Sequence, residues 1–226
     1  MKIVILAAGK GSRLSDGNLP KPLTSLATGK SILENQLEIL QRFISLDHVL
    51  VVVGYHKEEI IERFPHLLYV YNPNFANENT AKSLLRALNK LDEDVLWLNG
   101  DVVMHPSVIA SILKEPKTSM VVNIGQVGEE EVKYSLDDDG RIIEVSKGVL
   151  QAKGEALGIN FWERKDLAAF RKNLERCSNK DYFERGIELC IEEGMAVWSV
   201  PVDQGLCAEI DFPEDLEKAN QMLLKW

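Results

Sequence analysis

The chain has 226 residues, three cysteines and a formal net charge of −9, from 26 Lys and Arg against 35 Asp and Glu. That balance repels polyanions and argues against nucleic acid as a partner, while an odd, scattered set of thiols without Cys-x-x-Cys argues against a disulfide framework or a zinc site and for a reducing cytoplasm. With 45% hydrophobic and 27% charged residues the composition is globular, enough to bury about 70% of the extended-chain surface, and no apolar run approaches the ~20 residues of a membrane span.

Lys2 to Ala7 is an apolar, β-branched run that predicts a buried strand. It ends in Gly9-Lys10-Gly11-Ser12-Arg13-Leu14, with Pro20-Lys21-Pro22-Leu23 shortly after. Glycines let backbone N–H groups surround phosphate oxygens and the cations offset phosphate charge, so this loop has the composition of a phosphate cradle. Ser31-x-x-Glu34 reads as a capping box before a helix with Ile32, Leu33, Leu37, Leu40 and Ile44 on one face. His48–Val53 and Leu67–Tyr71 are further strands with a short helix, His56–Arg63, between them. Strands alternating with helices predict a Rossmann-like α/β fold: a mostly parallel sheet flanked by helices, with ligands at the carboxyl ends of the strands.

Thr80–Leu91 predicts a helix, and Val95–Leu98 a strand ending in Asn99-Gly100-Asp101. A helix at Pro106–Leu113 and a strand at Met120–Ile124 follow. Val132 to Phe161 alternates around the turn Asp137-Asp138-Asp139-Gly140 and predicts a small antiparallel hairpin insertion, about 130–163, within one domain spanning 1–226. Helices at Lys165–Glu175 and Tyr182–Glu193, a strand at Ala196–Val202 and a helix at Pro213–Leu224 complete the chain.

Two familiar phosphate motifs fail. A dinucleotide fingerprint needs glycine where Leu14 stands and an acid where the second strand ends in Gly54-Tyr55; a Walker-type loop ending in Gly29-Lys30-Ser31 needs glycine where Thr24 stands. The pattern Leu-Ala-Ala-Gly-x-Gly-Ser-Arg-Leu followed by Pro-Lys-Pro-Leu resembles the sugar-phosphate type nucleotidyltransferases, and most of all their small cytidylyltransferases acting on phosphocholine, inositol phosphate or aminoethylphosphonate. Later landmarks fall in the same order: Asn79, Ser83-Leu84, Gly100-Asp101, Ser146-Lys147, Gly158 to Trp162, and Glu209-Ile210-Asp211. The connector Ser15–Leu19 is shorter than in the sugar-nucleotide members.

The resemblance implies magnesium-dependent transfer of a cytidylyl group from CTP to a small phosphorylated alcohol or phosphonate, with release of pyrophosphate. It assigns Asp101 and Asp211 to Mg2+, and Leu6, Ala7, Ala8, Gly9, Lys10, Gly11, Asn79, Thr80, Ser83 and Gly100 to the nucleotide. Lys10 and Arg13 would hold the outer phosphates, Lys21 the α-phosphate and Lys147 the acceptor phosphate. Around Glu155, Asp181, Tyr182 and Glu184 an acceptor pocket is expected, where acids could pair an ammonium group. Asp101 as a turn residue, Asp211 as a helix-terminal acid, and Asn79, Thr80 and Ser83 as helix-start residues are the structural alternatives. Trp97 and Trp162 read as core or pocket wall, and Glu129–Glu131 as a solvated turn. A sugar-1-phosphate nucleotidyltransferase using UTP, GTP or dTTP, or a non-catalytic nucleotide-binding module, is the rival reading, and a homodimer is left open.

Overall fold

A computed structural model describes residues 1–11, 14, 19–125 and 127–226. The first half alternates as expected: β1 (Lys2–Ala7), α1 (Ile32–Leu40), β2 (Val49–Val53), α2 (Lys57–Arg63), β3 (Leu68–Tyr71), α3 (Thr80–Leu88) and β4 (Val95–Asn99). The strands pair in parallel, β2 with β1 and β3, and β1 with β4. Their side chains alternate between two buried faces. Val4 and Leu6 point to one core, while Ile3, Ile5 and Ala7 point to the other, which is why the run is apolar without a break.

The second half comprises β5 (Val102–Met104), α4 (Pro106–Lys114), β6 (Ser119–Val122), β7 (Lys133–Leu136), β8 (Ile142–Ser146) and β9 (Gly154–Trp162). It continues with α5 (Leu167–Arg176), α6 (Phe183–Glu192), β10 (Trp198–Pro201), β11 (Cys207–Glu209) and α7 (Pro213–Leu223). The main sheet runs β10-β6-β9-β4-β1-β2-β3. One expectation is corrected here: β7 and β8 form the inserted hairpin, while β9 pairs with β7 only at Gly154 and Glu155 and otherwise lies inside the main sheet, antiparallel to both β4 and β6. Its sequence has apolar residues on both faces, Leu157, Ile159 and Phe161 against one core and Ala156 and Trp162 against the other, so burial on both sides outweighs membership of an edge hairpin.

Helices α3, α5 and α6 cover one face, where Trp97 stacks on Phe170 at 5.3 Å and meets Trp162 at 5.2 Å and Phe183 edge-on at 5.6 Å. The two tryptophans are therefore core rather than pocket wall. Helices α1, α2 and α4 cover the other face. The capping box forms as read: Glu34 N–H donates to Ser31 Oγ at 3.2 Å, and Ser31 N–H donates to the Glu34 carboxylate at 2.6 Å. No helix among the described residues is long and apolar enough to cross a membrane.

Candidate active site

A cleft of about 630 Å³ opens at the carboxyl ends of β1 and β4, where a parallel sheet leaves strand-end loops free to carry chemistry. Leu6, Ala7, Gly9, Lys10 and Gly11 line it from the first loop, and Asn79, Thr80, Gly100 and Asp101 from the loops beyond. Lys21 reaches its floor. Gly11 has φ +60°, and a Cβ there would stand 2.5 Å from Lys21 Cβ, so the glycine is what lets the lysine stem lie against the loop. Lys21 Nζ sits 2.6 Å from Asp101 Oδ2 and 2.5 Å from Asp211 Oδ1. Burial of the ammonium opposes its charge, but the two carboxylates outweigh that and hold its pKa above the ordinary lysine value.

The carboxylates meet through an element too short to be read locally. β5 and β11 form a two-stranded antiparallel ribbon, Val102 opposite Glu209, and Ile210 N–H donates to the Asp101 carbonyl at 3.0 Å. Gln36, fully buried on α1, clamps the preceding turn: its Nε2 donates to Asn99 O at 2.9 Å and Val102 O at 2.8 Å. Asp215, not Asp211, serves the start of α7, accepting from Phe212 N–H at 3.0 Å and Asp211 N–H at 3.3 Å. That leaves the Asp211 carboxylate directed at Lys21. Asp101 Oδ1 is buried without a hydrogen-bond partner. Two carboxylates, one with an unpaired buried oxygen, are the hard donors magnesium takes when triphosphate oxygens and water complete its shell. Among the described residues no cluster of three acidic, His or Cys side chains could hold a metal without such help.

The other end of the cleft is acidic. Glu155 on β9 accepts from Asn123 Nδ2 at 3.0 Å, and buried Tyr134 steadies Asn123 by donating to its carbonyl at 2.8 Å. Burial raises the Glu155 pKa to about 7, against the Asn123 hydrogen bond and with the charge of Glu131. Glu184, in the first turn of α6, is 8% exposed with Oε2 unpartnered. Burial raises its pKa to about 7 as well, opposed by a backbone hydrogen bond and by the charge of Lys147. Glu209 accepts from Asn99 Nδ2 at 2.9 Å, and burial first, then the charge of Asp101, lifts its pKa well above the carboxylate range.

Most residues expected at the site are brought together here, and three are not. Ala8 is buried with its carbonyl accepting from Tyr55 N–H at 3.1 Å, and Ser83 is buried accepting from Asn72 Nδ2 at 3.1 Å. Asp181 turns away to accept from Ser178 N–H at 2.7 Å. Asn79 and Thr80 line the cleft while also doing structural work: Asn79 accepts from Thr80 N–H at 2.8 Å, and Thr80 Oγ1 accepts from Phe183 N–H at 3.0 Å. Lys147 lines the cleft with its Nζ 3.0 Å from Glu130 and 5.7 Å from the Tyr182 ring centre. Arg13 lies outside the described residues. Glu130 and Glu131 line the cleft rather than forming a merely solvated turn. Glu209 stood in the sequence only as part of the Glu209-Ile210-Asp211 landmark, without a role of its own, and nothing local signalled Gln36.

Residues 3–177 match the model of the MobA-like NTP transferase domain. The chain belongs to that family. Its relatives include CMP-5'-(3-aminopropyl)phosphonate synthase of Streptomyces rubellomurinus, 28% identical over 97% of this chain but only 38% of that protein. The 2-aminoethylphosphonate cytidylyltransferase of Lancefieldella rimae is 27% identical over 82% of this chain and 74% of the relative. UTP–glucose-1-phosphate uridylyltransferase AglF of Haloferax volcanii is 27% identical over 99% and 96%. The fold matches that of the CTP:phosphocholine cytidylyltransferase of Streptococcus pneumoniae, with TM-score 0.81 and 21% identity over 98% of both chains. It equally matches the inositol-1-phosphate CTP transferase of T. maritima, with TM-score 0.82 and 20% identity over 99% of this chain and 95% of the other.

Proposed function

We propose that this chain transfers a cytidylyl group from CTP to a small phosphorylated alcohol or phosphonate, in a magnesium-dependent reaction that releases pyrophosphate. The observation that carries this reading is the Lys21 ammonium held between Asp101 and Asp211 on the floor of a glycine-loop cleft. An acceptor oxygen, already ionised near neutral pH, forms a bond to the α-phosphorus. The bond from that phosphorus to the bridging oxygen breaks, and pyrophosphate leaves with the electron pair. Little proton transfer is required, so catalysis is positioning and neutralisation of charge. Asp101 and Asp211 would hold magnesium, which when bound offsets triphosphate charge. Lys21 would stabilise charge at the α-phosphate, the backbone of Gly9 to Gly11 with Lys10 would cradle the outer phosphates, and Lys147 would meet the acceptor phosphate.

Pyrophosphate release across the four nucleoside triphosphates, with phosphorylated alcohols, phosphonates and sugar-1-phosphates as acceptors and with or without magnesium, tests the reading. Turnover is expected with CTP and only with the metal. Preference for UTP and a sugar phosphate would transfer the assignment to the sugar-nucleotide class to which AglF belongs by name. No turnover with any pair would favour a non-catalytic module.

A further inference from the structure

The ribbon that brings Asp101 and Asp211 together has a small core of its own, separate from the two that line the main sheet. Val102 and Met104 of β5 and Cys207 of β11 pack on the core of the α1, α2 and α4 face, whereas Val103 packs with Ile210, Ala219, Leu26 and Ile32 in a satellite cluster. Helix α7 supplies the outer part of that cluster and buries only Ala219 completely. So little apolar burial does not by itself fix the register of a ribbon with three residues in each strand, because an isolated two-stranded ribbon is marginal in water. Two polar tethers complete the attachment. Asn220 Oδ1 accepts from Ala27 N–H at 2.7 Å. Trp226, beyond α7, donates from Nε1 to the Gly205 carbonyl at 3.0 Å and sets its ring edge-on to His105, with 5.7 Å between centres. His105 directly follows β5, Gly205 lies just ahead of β11, and His105 N–H donates to Leu206 O at 2.7 Å. Trp226 therefore touches both strands at the end of the ribbon opposite to the carboxylates.

The near end is held in another way. Lys21 spans both carboxylates, and Ile210 N–H meets the Asp101 carbonyl. In the transfer reading above, Lys21 would leave the carboxylates to reach the α-phosphate, and it then no longer ties Asp211 to Asp101; the tethers at the far end remain. We propose that Trp226 and Asn220 are positioning residues for Asp211: they hold α7 against the ribbon and so fix the separation of the two carboxylates that a divalent cation would bridge. The part played by the cation rests on the transfer reading; the tether does not. Only the closed ribbon presents both carboxylates, so opening it lowers the apparent affinity for a cation in proportion to the closed fraction, and the ribbon opens less when a cation is bound.

Amide hydrogen exchange and Mn2+ titration calorimetry on the full chain test the proposal. Trp226→Ala should speed exchange of the β5, β11 and α7 amides about tenfold, leave those of β1 and β4 unchanged, and weaken Mn2+ binding about fivefold. In the wild type, Mn2+ should slow exchange of the same three elements. Trp226→Phe keeps a ring against His105 without the N–H donor and should recover part of both losses, while Asn220→Ala should give smaller changes in the same amides. In the transfer assay, Trp226→Ala should raise the KM for magnesium about fivefold, with kcat recovered at saturating metal and the KM for CTP within about twofold, a split that general loss of stability does not produce. Unchanged Mn2+ affinity, with or without faster ribbon exchange, overturns the proposal, and so does acceleration spread evenly through β1 and β4. If no acceptor turns over, the transfer reading fails and the tether stands or falls on exchange and calorimetry alone.

Discussion

At the Lys21 end of the cleft an ammonium lies 2.6 Å from Asp101 and 2.5 Å from Asp211, whereas at the Glu184 end a buried carboxyl with an unpartnered oxygen has no cation at ion-pair distance among the described residues. Both ends place ionisable groups in low dielectric, and they resolve the cost differently. The first pairs its ammonium with two carboxylates, and the triphosphate and cation of the proposed reaction would exchange these ion pairs for others. The second shifts its carboxyls toward the neutral form, opposed at Glu184 by the charge of Lys147. The first geometry suits chemistry on anions, and the second makes the cleft sensitive to pH.

The contrast is broken most severely at Asp101. Asp101→Asn keeps the shape and removes the charge, and should lower kcat by about a thousandfold or more while the melting temperature stays within about 2 °C. A large loss of stability with little loss of rate would return Asp101 to the role of a turn residue. Lys21→Met should lower kcat by about a hundredfold, with a smaller effect on CTP affinity. The same change should tighten Mn2+ binding to the free protein about tenfold, because the ammonium no longer competes for Asp101 Oδ2 and Asp211 Oδ1. Unchanged or weaker Mn2+ binding, measured by titration calorimetry, would show that lysine and metal do not share those oxygens.

The Glu184 end makes a prediction about pH. The folded-state pKa of Glu184, about 7, lies above the ordinary glutamate value of 4.5, so its protonated form is the one folding favours. Its contribution to stability is full below about pH 4.5 and is lost as pH rises through 7, a change of roughly 3 kcal/mol. Glu155 adds in the same direction, and Lys147 opposes the shift of Glu184. Urea melts should therefore show stability falling from pH 5 to pH 8, and Glu184→Gln should flatten that slope. Stability that rises over this interval would contradict the burial of an uncompensated carboxyl. The smallest effect is expected at the clamp beneath Asp101. Gln36→Leu leaves the carbonyls of Asn99 and Val102 without their buried donor and should cost about 2 kcal/mol in a denaturant melt. It should also lower kcat a few-fold through the displaced Asp101 turn; full activity at reduced stability would separate the clamp from the chemistry.

Much of this was legible locally. The strand β1, the glycine loop, the capped helix α1 and the β-α alternation as far as β4 follow from periodicities of two and 3.6 residues and from cap and turn chemistry, all of which act between near neighbours in the chain. Asp101 could be singled out because a buried strand ends immediately before it. The antiparallel insertion was visible as alternation, but not the inclusion of β9 in the main sheet, since alternation predicts a strand without naming its partners.

By itself the sequence determined the fold class, the glycine loop after β1 and the position of Lys21 between two prolines, because glycine, proline and apolar spacing restrict the backbone wherever they occur. Only the tertiary structure decided which acids meet. β5 and β11 are three residues each, too short for a periodic signal, yet their pairing brings Asp101 and Asp211 to the same lysine across the length of the chain. It also decided that Asp181 turns outward to a backbone amide while Glu184, three residues on, is buried, and that Gly158 clears room for Glu209. Burial and uncompensated charge are properties of what surrounds a side chain, and those surroundings are assembled from residues that lie far apart in the sequence.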